Sequence, residues 1–545
     1  MTSINHLQSA VVPAAVTILG ILLGNLLFSL ARILHRNWTS GLHYIDGPKS
    51  SGFFLGNFKE LNVDYNASVK WRQQFGRIFK FKSFFSNTEL HVGDVKAISY
   101  ILSRPDKFER TPIIRNSMET LLGRGIISAE GDDHKRHRRA LNPAFSAGQI
   151  RAMTGIFVEK GEQLREFWTR ELTKNNGTAQ IEVQSWLRRL TLDVIGQAGF
   201  DYSFDALESE GKDNPLNDAF TDVFHSTEAS RYAAFRLAGG IMPILKLLPG
   251  PGWSVVRAAR RTMFSISGQI VDKSRANIAA SEEGNRSLDG KRDLLSSLLK
   301  ANMGDTKGQR LSDDELISQI PAFFLAGHET TSSALSWSLH ALSQNIRVQD
   351  KLRAELSSLV PTDNPTMDDL NSLPYLELVV REVMRVHSPV MFFDRMPVED
   401  EVLPLSEPYV GRDGEAREFI PIRKGQYLHI PVIGVNTDRK IWGEDADEFK
   451  PERWEHMPPS ATGIPNVWGN SLTFSSGNHH CIGFRFSVVE TKAILFILLR
   501  AFKFESALPN SSIVPATMAG LVKPSVLGKG PHSGLPLIVK VCADA

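Results

Sequence analysis

Cysteine is almost missing: the 545 residues hold only Cys481 and Cys542, the second close to the end of the chain. That scarcity argues against a disulfide framework and makes a reducing compartment the natural setting. An excess of charge of either sign is missing too. With 62 Lys and Arg against 60 Asp and Glu the formal net charge is +2, which gives no global attraction for nucleic acid or for acidic partners. There is no G-x-x-x-x-G-K phosphate loop, no G-x-G-x-x-G turn and no internal repeat, so nothing marks a nucleotide-binding unit. Asp, Glu, Lys and Arg are all absent before Arg32.

What stands in that charge-free stretch is apolar. Residues 11–30 (VVPAAVTILGILLGNLLFSL) are long enough, at about 1.5 Å per helical residue, to cross a hydrocarbon layer of about 30 Å. A cleaved signal peptide wants a basic start, a shorter apolar run and a small-x-small cleavage site, which this stretch lacks. The sequence therefore predicts an N-terminal transmembrane helix over 1–31. Arg32 and Arg36 follow it, placing the rest of the chain on the cytoplasmic side. Gly47-Pro48 makes 32–50 a stiff hinge, and 51–545 reads as one body.

At 42% hydrophobic residues the chain can bury a large core. Apolar residues at three- and four-residue spacing predict helices over 152–174, 183–198, 253–279, 314–342 and 373–386. Strand-like runs are short: 77–85, 427–434 and 535–541. The fold class is mainly α with small β-sheets.

One stretch concentrates chemistry: FSSGNHHCIGFRFS, beginning at Phe474. Zinc would need His479, His480 and Cys481 to converge from consecutive positions, whereas short-spaced zinc ligands leave two or more residues between them. A catalytic thiol would need an orienting third group, and none is visible. The other option is a single thiolate on haem iron, in a glycine-rich loop that lets backbone amides approach the sulfur. The apolar helix that follows would point its N-terminus towards that negative sulfur.

Three further groupings accompany it. Glu382 and Arg385 stand three apart on one helix face and, taken alone, read as a solvated surface pair. The segment PAFFLAGHETTSSALSW places Gly327, His328, Glu329, Thr330 and Thr331 inside an apolar helix, where small and polar residues are locally costly and suggest a functional kink. Hydroxyls merely bonding back to carbonyls are the alternative there. Lys135, Arg136, Arg138 and Arg139 form a basic run of the kind that ordinarily makes a solvated helix face.

Together these residues resemble the cytochrome P450 family of haem-thiolate monooxygenases. The family's haem signature F-x-x-G-x-R-x-C-x-G is matched at Phe474, Gly477, Cys481 and Gly483, with His479 where the family has arginine. The resemblance implies Cys481 as the axial ligand of the iron. It also implies a buried triad of Glu382, Arg385 and Arg453 behind the haem loop, and the oxygen-binding helix A-G-x-[DE]-T-[TS] with Glu329 and Thr330 delivering protons. The family's W-x-x-x-R is met by His134 and Arg138; with Arg395 and His479 these would hold the haem propionates, a protonated imidazole donating where an arginine is missing. The remaining cations of the basic run would face an acidic reductase. Pocket walls by the same resemblance are 112–122, Phe323, Phe324, 390–393 and 518–522.

The implied cofactors are haem b, dioxygen and electrons from NADPH through a separate reductase, NADPH-cytochrome P450 reductase. The implied setting is the endoplasmic-reticulum membrane, and the implied reaction is insertion of one oxygen atom into a lipophilic small molecule, such as a terpenoid of fungal secondary metabolism. Two rivals stand beside it. A haem-thiolate isomerase or dehydratase would act on hydroperoxides without reductant, and a non-catalytic haem sensor or carrier would bind ligand without making product.

Overall fold

Apolar stripes turned inward assemble this chain from helices, and the computed structural model describes residues 2–63, 67–209, 214–224, 226–241, 245, 250–283, 293–304, 309–518, 520–530 and 533–542. The helices that matter for the site are α1 (Thr2–Thr39), α2 (Pro112–Leu122), α3 (Gly131–Leu141), α4 (Ala147–Lys174) and α5 (Val183–Phe200). They are followed by α6 (Thr227–Ile241), α7 (Trp253–Glu283), α8 (Asp313–Phe324), α9 (Thr330–Gln344), α10 (Pro374–Val386) and α11 (Phe484–Ala501).

Local chemistry sets their ends. Helix α4 starts five residues before the expected 152 because Ser146 caps it, accepting from the Gln149 N–H. Helix α8 starts with a full capping box, in which Ser312 and Glu315 satisfy each other's backbone N–H groups. The single helix expected over 314–342 is instead two, α8 and α9, joined by the π-helical turn Leu325–Glu329.

Helices α4 and α11 pack along each other through the centre. Gly161 permits the close approach, since a Cβ there would stand 2.6 Å from Ile497 Cδ1. Around this core lie four small sheets among the described residues. The largest joins Ile78–Lys82, Thr88–Val92, Tyr427–Pro431, Phe392–Pro397 and Phe108–Glu109 in that order, with Thr88–Val92 parallel to Tyr427–Pro431 and the other pairs antiparallel. A three-stranded sheet pairs Pro536–Val541 with both Thr178–Glu182 and Phe502–Ser506. The hairpin of Glu401–Val410 with Ala416–Ile422, and that of Ile513–Met518 with Leu521–Val526, were not expected from the sequence.

The N-terminal expectation rests partly on residues outside the described ones, and its hinge is shifted. Among the described residues no helix is long and apolar enough to cross a membrane, and several side chains between 1 and 22 lie outside the described ones. Helix α1 also continues through Thr39, so the first part of the expected hinge is helical. Its end is docked: Arg36 donates to the Gly425 carbonyl (3.1 Å), and Asn37 Oδ1 accepts from the Thr88 N–H (3.0 Å).

Candidate active site

The loop that carries Cys481 is closed by its own backbone, the Cys481 N–H donating to the Phe474 carbonyl at 2.9 Å. Gly477 is required there: its φ is +67° and a Cβ would lie 2.1 Å from the Leu102 carbonyl oxygen. Gly483 is the N-cap of α11 with φ −88°, so it begins the helix without demanding a left-handed backbone. Phe474 is buried and packs edge-on against Trp468, ring centroids 5.7 Å apart.

Cys481 is a free, solvent-accessible residue although protein surrounds it closely. Burial pushes its pKa up, against the opposing pull of the Gly483 N–H and the Arg138 charge. A cation bonded to the sulfur would reverse that balance, since a coordinated thiol is deprotonated outright. Cys542 is also a free thiol.

Beside the loop lies a cluster of cations and imidazoles. His134 and His479 stack at 3.8 Å between centroids with 13° between planes. Burial, and then the charge of Arg110, hold both rings well below the usual imidazole range, His134 at about 3. A haem propionate beside them would oppose that depression and favour the protonated imidazole that the resemblance implies. His479 Nδ1 is buried without a hydrogen-bond partner, and its Nε2 is 3.4 Å from Glu130 Oε2. Arg110 pairs with Glu130 at 2.7 Å, an involvement that no sequence motif announced. Arg138 donates to the His480 carbonyl (2.8 Å) and meets its ring Nε2 (2.6 Å). Arg395 is buried, donates to the Asp394 carbonyl, and has its pKa lowered by burial to about 10.

An accessible thiol on a glycine-bounded loop, three arginines against the carboxylates of Glu130 and Asp394, and an imidazole nitrogen without a partner among the described residues together fit an anionic porphyrin whose iron takes sulfur. Cys481 would ligate the iron, and Arg110, Arg138, Arg395, His134 and His479 would face the propionates.

In the rest of the basic run two cations have acidic partners within the chain. Lys135 pairs with Asp132 (2.8 Å), and Arg136 pairs with Glu315 (2.6 Å) and Asp133 (2.9 Å).

Behind the loop, Glu382 and Arg385 are fully buried, so the surface-pair reading fails. The pair is two-pronged, at 2.8 and 2.9 Å, and Arg453 Nε reaches the same carboxylate at 3.2 Å. Among the described residues no buried polar atom of the cluster lacks a partner. Arg385 also donates to the carbonyls of Asn436 (2.7 Å) and Ala446 (2.5 Å), Arg453 to Asp445 Oδ1 (2.6 Å), and the Lys450 N–H to Glu382 (3.0 Å). Asn436 then carries the connection onward: its Oδ1 accepts from the Leu472 N–H (2.8 Å) and its amide donates to Thr473 (3.0 Å). Leu472 and Thr473 lead directly into Phe474 and the cysteine loop.

The π turn Leu325–Glu329 sits in an otherwise buried helix, yet Ala326 is exposed and its neighbours half-buried, so this turn too borders open space. One-turn π segments recur where a helix carries function. Thr330 donates back to the Ala326 carbonyl, which is the back-bonding that the sequence also allowed. Glu329 is buried and held by two cations, Lys523 Nζ and Arg188 Nη2, the latter at 3.2 Å. Lys523 was missed by the sequence reading, lying 194 residues away on the Leu521–Val526 strand.

A cavity of about 520 Å³ takes its walls from Ile113, Met118, Leu121, Met391 and Phe392 and reaches Leu325 at the start of the π turn. Phe323 and Phe324 do not line it. They pack inward, Phe324 against Phe200 (4.7 Å) and Phe204 (5.0 Å).

Comparison with known proteins follows the same residues. The Cytochrome P450 family matches over residues 46–529. Cytochrome P450 monooxygenase 205 of Postia placenta is 42% identical, over 92% of this chain and 93% of its own. Cytochrome P450 monooxygenase claP of Ampulloclitocybe clavipes is 34% identical over 89% and 90%. Ganoderic acid synthetase of Ganoderma lucidum is 35% identical over 87% and 90%.

Proposed function

The chain belongs to the cytochrome P450 family of haem-containing monooxygenases, and from that premise we propose that it inserts one oxygen atom into a lipophilic small molecule, drawing electrons from NADPH through a separate membrane flavoprotein reductase. The observation that carries this reading is the free, solvent-accessible Cys481 that protein surrounds closely, backed by the buried charge cluster. When bound, haem b supplies dioxygen activation and the oxidation of an unactivated C–H bond.

The protein supplies everything around it. Cys481 gives the thiolate, and the arginines near His134 and His479 neutralise propionates. The cavity presents a mostly apolar wall to the substrate. Glu329 and Thr330 form the proton route. Burial lowers the pKa of Lys523, which makes its ammonium readier to release a proton to Glu329. Arg188, one-third exposed, joins that carboxylate to the surface side. From Glu329 the proton passes to the Thr330 hydroxyl, which rotates away from the Ala326 carbonyl to hand it on.

Thr330→Ala is therefore expected to consume NADPH while releasing hydrogen peroxide, with product per NADPH falling by about 10²-fold, at the low end of positioned acid-base effects. Product and NADPH are measured together in the reconstituted system. Full coupling in that variant removes Thr330 from the route, and turnover without reductant would favour the isomerase rival.

The setting we propose is the cytoplasmic face of the endoplasmic-reticulum membrane. Its support is helix α1, which exposes Val16, Ile21, Leu23, Leu27 and Phe28, an apolar series with no use in water. The pathway we propose is fungal secondary metabolism with a terpenoid substrate, which a relative named for ganoderic acid synthesis supports.

A further inference from the structure

One charge in the cavity has no acidic counterpart among the described residues. Arg236, on α6, forms part of the wall of the 520 Å³ cavity, and α6 packs against α2, which supplies Ile113, Met118 and Leu121 to the same space. Its Nε is buried without a hydrogen-bond partner. The group acting on it is the Tyr232 ring, whose centroid is 6.0 Å from the guanidinium carbon. Burial lowers its pKa to about 10, so it keeps its charge at neutral pH.

The acids of the same cavity are occupied elsewhere. Asp394 accepts from the Thr111 N–H at 2.7 Å and from the Thr111 hydroxyl. Burial raises Glu89 to about 7, and the groups opposing that rise are Ser83 and Arg36. Neither carboxylate is among the influences on Arg236.

Arg236 is half-buried and its Nε is shut away from water without a partner, a cost that is recovered when a ligand supplies an anion. The planar fork matches a carboxylate in two-pronged geometry. A phosphate dianion would call for more donors than one arginine offers. The apolar walls require the rest of the ligand to be hydrocarbon.

We propose that Arg236 is a carboxylate-binding residue of the substrate cavity and that the substrate is a lipophilic carboxylic acid. This rests on the monooxygenase reading above and names the substrate class of that site. Anchored by its acid group, the substrate extends along walls that include Leu325 and is oxidised at a carbon remote from the carboxylate.

The test uses haem-loaded protein and the shift of its Soret band on titration with dodecanoic acid, dehydroabietic acid and the methyl ester of each. For at least one pair the acid binds about tenfold or more tightly than its ester, the yield of one charge-assisted pair. Arg236→Gln removes that preference by weakening the acid alone, and Arg236→Lys keeps part of it. An unchanged acid-to-ester ratio in Arg236→Gln, or no acid preference in the parent protein, overturns the proposal. The carbon monoxide spectrum of each sample separates the two claims. With thiolate ligation present and acid preference absent only the carboxylate assignment falls, whereas loss of thiolate ligation in the parent protein removes the monooxygenase reading itself.

Discussion

Protein carrying Glu382→Ala will be recovered without haem, or will fail to accumulate. The substitution strips the carboxylate from two buried guanidinium groups at once, and breaking one partner of a buried pair typically costs about 3–5 kcal/mol. That is a large share of the roughly 5–15 kcal/mol by which a domain is stable. The damage is also directed. Arg385 holds the Asn436 carbonyl, and the Asn436 side chain holds Leu472 and Thr473, the residues entering the cysteine loop. Glu382→Gln retains an acceptor and loses the charge, so its haem content should fall between that of the parent and of the alanine variant. Haem per polypeptide, measured as the pyridine haemochrome, checks both. Normal haem in Glu382→Ala would show that the cluster does not support the loop.

Gly477→Ala is expected to do comparable harm for a different reason. The added methyl would sit 2.1 Å from the Leu102 carbonyl oxygen and 3.0 Å from its carbon, atoms of a helix backbone that cannot step aside like a side chain, and the φ of +67° is strained for alanine. The loop must move, and Cys481 with it. Gly483→Ala is the internal control: its φ is −88°, and the nearest atom to a new Cβ is Phe145 Cε1 at 3.6 Å, an ordinary contact. The account predicts near-complete loss of thiolate-ligated haem in Gly477→Ala and substantial retention in Gly483→Ala. Equal behaviour of the two would mean that the first glycine is not set by contact with Leu102.

The contrast between these glycines marks where sequence reading reaches its range. Both occupy positions of one motif, yet only the fold reveals that Leu102, some 375 residues earlier, presses on one of them. Helix existence was legible because periodicity is local: 183–198 and 373–386 agree with α5 and α10 to within two residues at each end. The break between α8 and α9 was anticipated as a kink at Gly327–Thr331, though its π-helical form was not. The hairpin of 401–422 escaped because its alternation is blurred: Glu401 is buried while Val402, Val410 and Phe419 are exposed, and Pro404, Pro408 and Pro421 interrupt the strands.

Among the site residues, Glu382 and Arg385 by themselves resemble a surface pair, since i, i+3 spacing says nothing about what covers them. Their burial depends on carbonyls from 436–448, which no local pattern predicts. Lys523, Arg110, Glu130 and Asn436 escaped for the same reason: each acts through tertiary contact, and a single charged or amide residue within an ordinary stretch carries no signal of its partner. The stacking of His134 on His479, and the depression of both rings by burial and by the Arg110 charge, enter only with the third dimension.

The central claim is that the Cys481 sulfur, as thiolate, is the axial ligand of a haem iron. Purified holoprotein reduced with dithionite and treated with carbon monoxide should give the strongly red-shifted Soret band of thiolate ligation, and Cys481→Ser should abolish both that band and product formation. A haem-loaded parent protein whose carbon monoxide complex lacks that shift, or a serine variant with undiminished turnover, would contradict the account.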